Sequence, residues 1–261
     1  MITIPHNFEP YPYQAEILGT DKRFKIVVLH RRAGKSKTAL NELIRQATLK
    51  PGVYAHVFPH YNQCKKAIWM DPDMLDLHLP KNNIIKKNDS EMYVKIEAQG
   101  GESLIYFLGA DKPENVLGMN FDGIVLDEYA QMKEEFWTRT VRPILGKSGG
   151  WAIFVFTPQG KNHAWKLIQQ AKDQKDWETW VLDITKTKDH DAKPLFPKEE
   201  IDAIKRDTPE ALFQQEYMVQ FIDDAYSCFP NAERLAIEKH RVDQGMFGSE
   251  RDPHQFGIDL A

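Results

Sequence analysis

Two short stretches of this chain place neighbouring polar side chains where they could share one reaction: Gly34-Lys35-Ser36 and Asp127-Glu128. The first closes the segment LHRRAGKSK (29–37) and completes the phosphate-loop pattern G-x-x-x-x-G-K-[ST], except that Leu29 stands in the slot of the first glycine. In that pattern backbone amides at the start of a helix face the phosphates, so Ala33, Gly34, Lys35, Ser36 and Lys37 are the expected contact positions. The Lys35 ammonium would reach the β- and γ-phosphates, and the Ser36 hydroxyl would help hold Mg²⁺. Asp127 and Glu128 follow the apolar run Ile124-Val125-Leu126. An acid at the end of a parallel strand points into the crevice where ligands bind. There Asp127 could orient Mg²⁺, directly or through water, while Glu128 polarises the attacking water. Alone, the first motif is a basic turn and the second a solvated acidic pair. In this order they argue for ATP hydrolysis with Mg²⁺.

Two weaker signals flank these. In Tyr11-Pro12-Tyr13-Gln14 the Gln14 amide offers a donor and an acceptor to an adenine edge, and a tyrosine such as Tyr13 could stack on the base. A surface turn set by Pro10 and Pro12 is an equal reading. Thr157 opens the segment TPQGKN behind an apolar run, where a polar group could sense the γ-phosphate; a Pro/Gly turn is the plain alternative.

These residues need a scaffold of strands that end on one edge. Phe24–Leu29, Val53–Phe58, Phe121–Leu126 and Trp151–Phe156 are short β-branched or aromatic runs without alternation, as in strands buried on both faces. Glu178–Thr185 is a further strand candidate, and residues 91–108 read as a hairpin turning at Gln99-Gly100-Gly101-Glu102. Ala39, Leu40, Leu43, Ile44 and Ala47 recur at helical spacing before Pro51-Gly52. Helical pieces are also expected near 62–70 and over 198–218, the latter broken at Thr208-Pro209. Alternation of strand and helix predicts an α/β fold, a mainly parallel sheet flanked by helices. Because Leu29 fills the glycine slot, the first strand is expected to run further before its turn.

With 42% hydrophobic and 28% charged residues, the 261-residue chain has the composition of a soluble globular protein. No run approaches the roughly 20 apolar residues of a membrane span, and the first residues lack the pattern of a secretory signal. Two cysteines make no disulfide framework and fit a reducing compartment. A net charge of −4 neither advertises nor excludes nucleic-acid binding, since a local basic face suffices. His56, His60 and Cys64 invite a zinc reading, but Pro59 and the strand around His56 break the alignment, so it is rejected. Lys65, Lys66, Lys81, Lys86 and Lys87 are read as solvating a surface rather than touching DNA, and Trp137, Trp151 and Trp165 as core.

PYQ, HRRAGKS, GADKPENVLGMNFDGIVLDEYAQM and FTPQGKNHAW, in this order over most of the chain, resemble the adenine motif, deviant Walker A loop, Walker B region and coupling motif of the large terminase subunit of tailed bacteriophages. The resemblance implies a P-loop ATPase of the additional-strand, catalytic-glutamate class that drives double-stranded DNA into a procapsid. It implies as partners DNA, a portal protein, a small terminase subunit and further copies in a ring, expected to be pentameric, with a monomer in isolation. The implied location is the host cytoplasm. Arg31 or Arg32, with Arg32 favoured, would contact the γ-phosphate, and Arg139 or Arg142 would complete a neighbouring subunit's site. The implied organisation is an ATPase domain over 1–222 with a lid region at about 160–222 and a small C-terminal linker subdomain at 223–253. Residues 254–261 would then begin an RNase H-like nuclease. Asp259 would be its first metal-binding carboxylate, active only in an intact domain. A superfamily-2 helicase-like translocase, which needs a second motor domain, and a nucleotide-dependent assembly protein are the competing readings.

Overall fold

The computed structural model describes residues 7–79 and 81–222; the expected linker and nuclease strand lie outside them. Eight strands form one sheet: β1 (Phe24–Leu29), β2 (Val53–Phe58), β3 (Ile84–Asn88), β4 (Tyr93–Ala98), β5 (Gly101–Gly109), β6 (Gly123–Asp127), β7 (Trp151–Phe156) and β8 (Trp177–Leu182). Their order is β3-β4-β5-β2-β6-β7-β1-β8. From β5 to β8 all neighbours run parallel, while β3 and β4 extend the sheet antiparallel. Every residue of β1 and of β6 is buried, which explains why neither run alternates.

Helices cover both faces. α1 (Pro12–Gly19), α2 (Lys35–Leu49), α3 (Tyr61–Cys64) with its π-helical continuation Lys65–Trp69, and α4 (Leu75–His78) supply one apolar layer. The π-helical Phe136–Val141, α5 (Arg142–Ser148) and α6 (His163–Ala171) supply the other. α7 (Lys198–Asp207) and α8 (Glu210–Glu216) follow, separated at Thr208-Pro209 as the sequence suggests. The hairpin is present, with Gly100 at φ 87° in its turn. β3 was not anticipated, because its two isoleucines are followed by lysines. That composition suits an edge strand, where charge discourages pairing with other chains. Trp137 is buried as expected, whereas Trp151 and Trp165 are only partly so.

The end of β5 is packed without slack. A Cβ added at Gly109 would run into the Tyr61 backbone and the Asp111 carboxylate, so the strand can end there only with glycine. Gly109→Ala is therefore expected to lower stability by about 1–3 kcal/mol, read as a lower midpoint in urea unfolding.

Candidate active site

The residues singled out for chemistry arrive from the C-terminal ends of three adjacent strands. β7 lies between β1, which leads into the phosphate loop, and β6, which ends in Asp127. This is the additional strand of the expected class, and it places Thr157 between the loop and the acids. Leu29 is fully buried and paired with Leu182, so the glycine slot is occupied by the last residue of a strand.

Past Leu29 the loop is braced on every side. The His30 amide donates to Leu182 O at 3.3 Å, and the Arg31 amide donates to Glu216 O at 3.1 Å. The Arg31 guanidinium also lies 2.9 Å from the Glu216 carboxylate. The His30 ring is buried; its Nδ1 donates to Arg31 O at 2.7 Å, which leaves Nε2 to accept from the Thr187 hydroxyl at 2.7 Å. Tyr13 donates its hydroxyl to Ala33 O at 2.7 Å, and the Gln14 amide lies 3.4 Å from the same oxygen. Gly34 has φ 71°, a left-handed conformation that glycine adopts freely. Arg32 adopts φ 64° without that freedom, a strained conformation of the kind that clusters at functional sites.

Gly34 caps α2 and no side chain caps its first turn, leaving the amides around Lys35, Ser36 and Lys37 to an anion. Lys35 is largely buried and its Nζ lies 3.6 Å from Glu128 Oε1. Glu128 is a second left-handed residue, at φ 54° and ψ 41°. Burial raises the pKa of its carboxyl, an effect that Lys35 partly offsets. Asp127 is fully buried. One oxygen accepts the Glu128 amide at 3.0 Å and the other accepts from His56 Nε2 at 2.9 Å. A hydroxyl and a carboxylate are hard oxygen ligands of the kind Mg²⁺ takes, and each Asp127 oxygen retains a lone pair, so Ser36 and Asp127 fit such an ion.

Two spaces meet at Lys35. A cleft of about 720 Å³ is lined by Tyr11, Gln14, Arg32, Gly34, Lys37 and Phe196, among others. A cavity of about 70 Å³ is lined by Arg31, Lys35, Glu128, Gln131, Thr157 and Glu216, among others. The two loop arginines therefore part company, with Arg31 on the side of the acids and Arg32 on the side of the larger cleft. Tyr13, expected to stack on a base, packs inward. Its ring is buried and its hydroxyl holds the loop, while Tyr11, stacked on it at 6.1 Å, reaches the cleft. Phe196 and Glu216, from segments distant in the chain, were not foreseen as site residues. Arg139 is exposed on the π-helical segment, and Arg142 lies 5.4 Å over the Phe24 ring at the start of β1, the edge opposite the loop. Neither enters the site of its own chain. Asp259 lies outside the described residues.

Among the described residues no group of three or more His, Cys, Asp or Glu side chains is placed to share a metal ion. Cys64 is buried, which pushes its thiol pKa up and leaves it inert. Burial has the opposite effect on His30 and lowers its pKa to about 4, so it is neutral at neutral pH. The unfolded chain takes up that proton near pH 6.5, and the folded chain does not until about pH 4. Stability is therefore intact above about pH 6.5 and falls as acid is added, by an amount on the order of 3 kcal/mol from this group. Urea unfolding between pH 7.5 and 4.5 is expected to show that loss, and His30→Gln to flatten the slope.

The family model described as "Terminase large subunit, T4likevirus-type, N-terminal" matches residues 27–235. Curated large terminase subunits of Thermus phage G20c and Thermus virus P23-45 are each 22% identical over 298 residues, covering 96% of this chain. The chain spans 60% of the length of those relatives. The large terminase ATPase domain of Thermus phage P74-26 matches the fold with a TM-score of 0.67 at 19% identity, covering 85% of this chain and 100% of that one. A large terminase from a thermophilic bacteriophage, solved with ADP, gives a TM-score of 0.67 at 18% identity over 82% of this chain and 54% of that one.

Proposed function

Since the chain belongs to the large terminase subunits, we propose that it is the ATPase motor domain of such a subunit, coupling ATP hydrolysis to the movement of double-stranded DNA into a procapsid. The observation that carries this reading is the Lys35–Glu128 pair at 3.6 Å, which spans the gap between the phosphate loop and the acid strand. A γ-phosphate that engages Lys35 is thereby delivered to Glu128, the group placed to take a proton from the attacking water. A relative solved with ADP supports a nucleotide as the ligand.

Each residue has a task in this scheme. The amides of Ala33 to Lys37 receive the phosphates at the head of α2, and Lys35 draws charge from the β- and γ-oxygens. Ser36 and Asp127 would hold Mg²⁺, which when bound neutralises phosphate charge. Thr157, whose hydroxyl lies 3.4 Å from Leu29 O, would register loss of the γ-phosphate between β1 and β7. Tyr11, rather than the buried Tyr13, faces the base. Of the loop arginines we assign Arg31 to the γ-phosphate, because it shares the small cavity with Lys35, Glu128 and Thr157, whereas Arg32 does not.

Arg139 is the better candidate for action on a neighbouring copy, since Arg142 is engaged with Phe24. The assembly would be a ring acting with DNA, portal protein and small subunit in the host cytoplasm. The test is ATP turnover with Mg²⁺, measured against protein concentration with and without double-stranded DNA and portal. Specific activity is expected to rise with assembly. Mixing inactive Arg139→Ala with inactive Glu128→Gln protein should restore part of it, because some interfaces then hold both groups. Turnover that is absent under every condition, or that shows no dependence on Lys35, overturns the reading.

A further inference from the structure

We propose that His56 is a positioning residue for the acid at the end of β6, fixing the Asp127 carboxylate in the orientation in which it serves Mg²⁺. The inference rests on the assignment of Asp127 given above and extends it to a residue on another strand. His56 lies in β2, next to β6 in the sheet and in register with Val125. Its side chain is wholly buried, and its ring lies nearly parallel to Phe58 and Phe107, at 5.4 and 6.3 Å. Nε2 is 2.9 Å from Asp127 Oδ2, and Nδ1 has no hydrogen-bond partner among the described residues.

This is a poor choice for stability alone. Between two phenylalanines in a buried strand, an apolar side chain would fill the space without leaving a ring nitrogen bare. The polar ring is compensated at one atom only, and that atom is aimed at the carboxylate. A carboxylate oxygen only accepts, so Nε2 must carry its hydrogen and donate. With the Glu128 amide holding the other oxygen at 3.0 Å, both ends of the carboxylate are fixed and its rotation about the Cβ–Cγ bond is stopped. The remaining lone pairs then have set directions. Outer groups that orient metal-binding carboxylates in this way typically change metal affinity or activity about 10–100-fold when removed.

The test compares His56→Phe, His56→Asn and Asp127→Asn with the parent chain. The readouts are thermal unfolding, affinity for a fluorescent ATP analogue in EDTA, and the Mg²⁺ concentration that half-saturates its tightening. His56→Phe is expected to keep the EDTA affinity and to raise the Mg²⁺ requirement about 10-fold. His56→Asn, which restores an N–H donor, should recover part of the loss. An unchanged Mg²⁺ requirement in a folded His56→Phe protein overturns the proposal, and so does an equal loss of affinity in EDTA. Should the phenylalanine variant not fold, His56→Leu, which also lacks a donor, decides by the same two numbers. Asp127→Asn is expected to lose the Mg²⁺ response altogether. If it keeps that response, the assignment of Asp127 fails and the proposal with it, whereas loss in Asp127→Asn without any change in His56→Phe rejects His56 alone.

Discussion

Replacing Glu128 by glutamine is expected to lower ATP turnover about 10²–10⁴-fold while leaving the nucleotide bound, because it removes a general base and little else. Glutamine matches the size of glutamate, so the left-handed turn at this position and the neighbouring Asp127 contact have no steric reason to change. The charge does change. Lys35 loses the carboxylate 3.6 Å away and offers its full charge to the phosphates, so ATP should bind at least as tightly as in the parent protein. Filter binding against phosphate release separates the two effects. A pH profile adds an independent check. Burial raises the Glu128 pKa, so the parent rate should fade on acidification sooner than an ordinary carboxylate would require. The residual rate of the glutamine variant should lack that limb. Equal turnover in the two proteins rejects Glu128 as the base.

Lys35→Ala should fail at the earlier step. The ammonium is the charge shared between the phosphates and Glu128, and alanine leaves an anionic substrate facing an anionic pair of acids. Binding of ATP is expected to weaken by at least about 10²-fold, with turnover below detection. The double variant Lys35→Ala with Glu128→Gln distinguishes the causes. Removing the acid relieves the repulsion, so it should regain part of the affinity and none of the turnover. Affinity that stays at the parent level in Lys35→Ala would dissolve the phosphate-site assignment.

Much of this site was legible in the sequence because strand ends and loops are local. GKS behind an apolar run, and DE at the end of another, fix the elements to which they belong. The runs without alternation and the intervening helices announce a mainly parallel sheet, whereas the order of its strands has no signature in the chain. What the sequence did not disclose is set by packing between distant segments. Tyr13 turns its hydroxyl to Ala33 O, and Gln14 touches the same carbonyl while lining the cleft, contacts that exist only after α1 has docked. Phe196 and Glu216 reach the site from the region after β8, far along the chain from both motifs. His56 is the sharpest example. Its neighbours His60 and Cys64 suggested a metal reading along the chain, whereas its real partner is across the sheet on β6. Arg31 and Arg32 likewise face different spaces on the two sides of the loop, a separation that adjacent positions in the chain do not announce.

Arg31 ties the phosphate loop to α8 twice, by its amide to Glu216 O and by its guanidinium to the Glu216 carboxylate. If that guanidinium turns to the γ-phosphate, Glu216 loses this ion pair, so nucleotide and helix compete for the same charge. Competition of this kind is reciprocal: whatever ATP does to the hold on α8, displacement of α8 does to ATP with equal free energy and matching sign. A load or a partner that draws α8 away from the loop would thus tighten nucleotide binding. Release of the nucleotide would in turn let the guanidinium return to Glu216, so under that assignment the ion pair would link the occupancy of the loop to the position of α8.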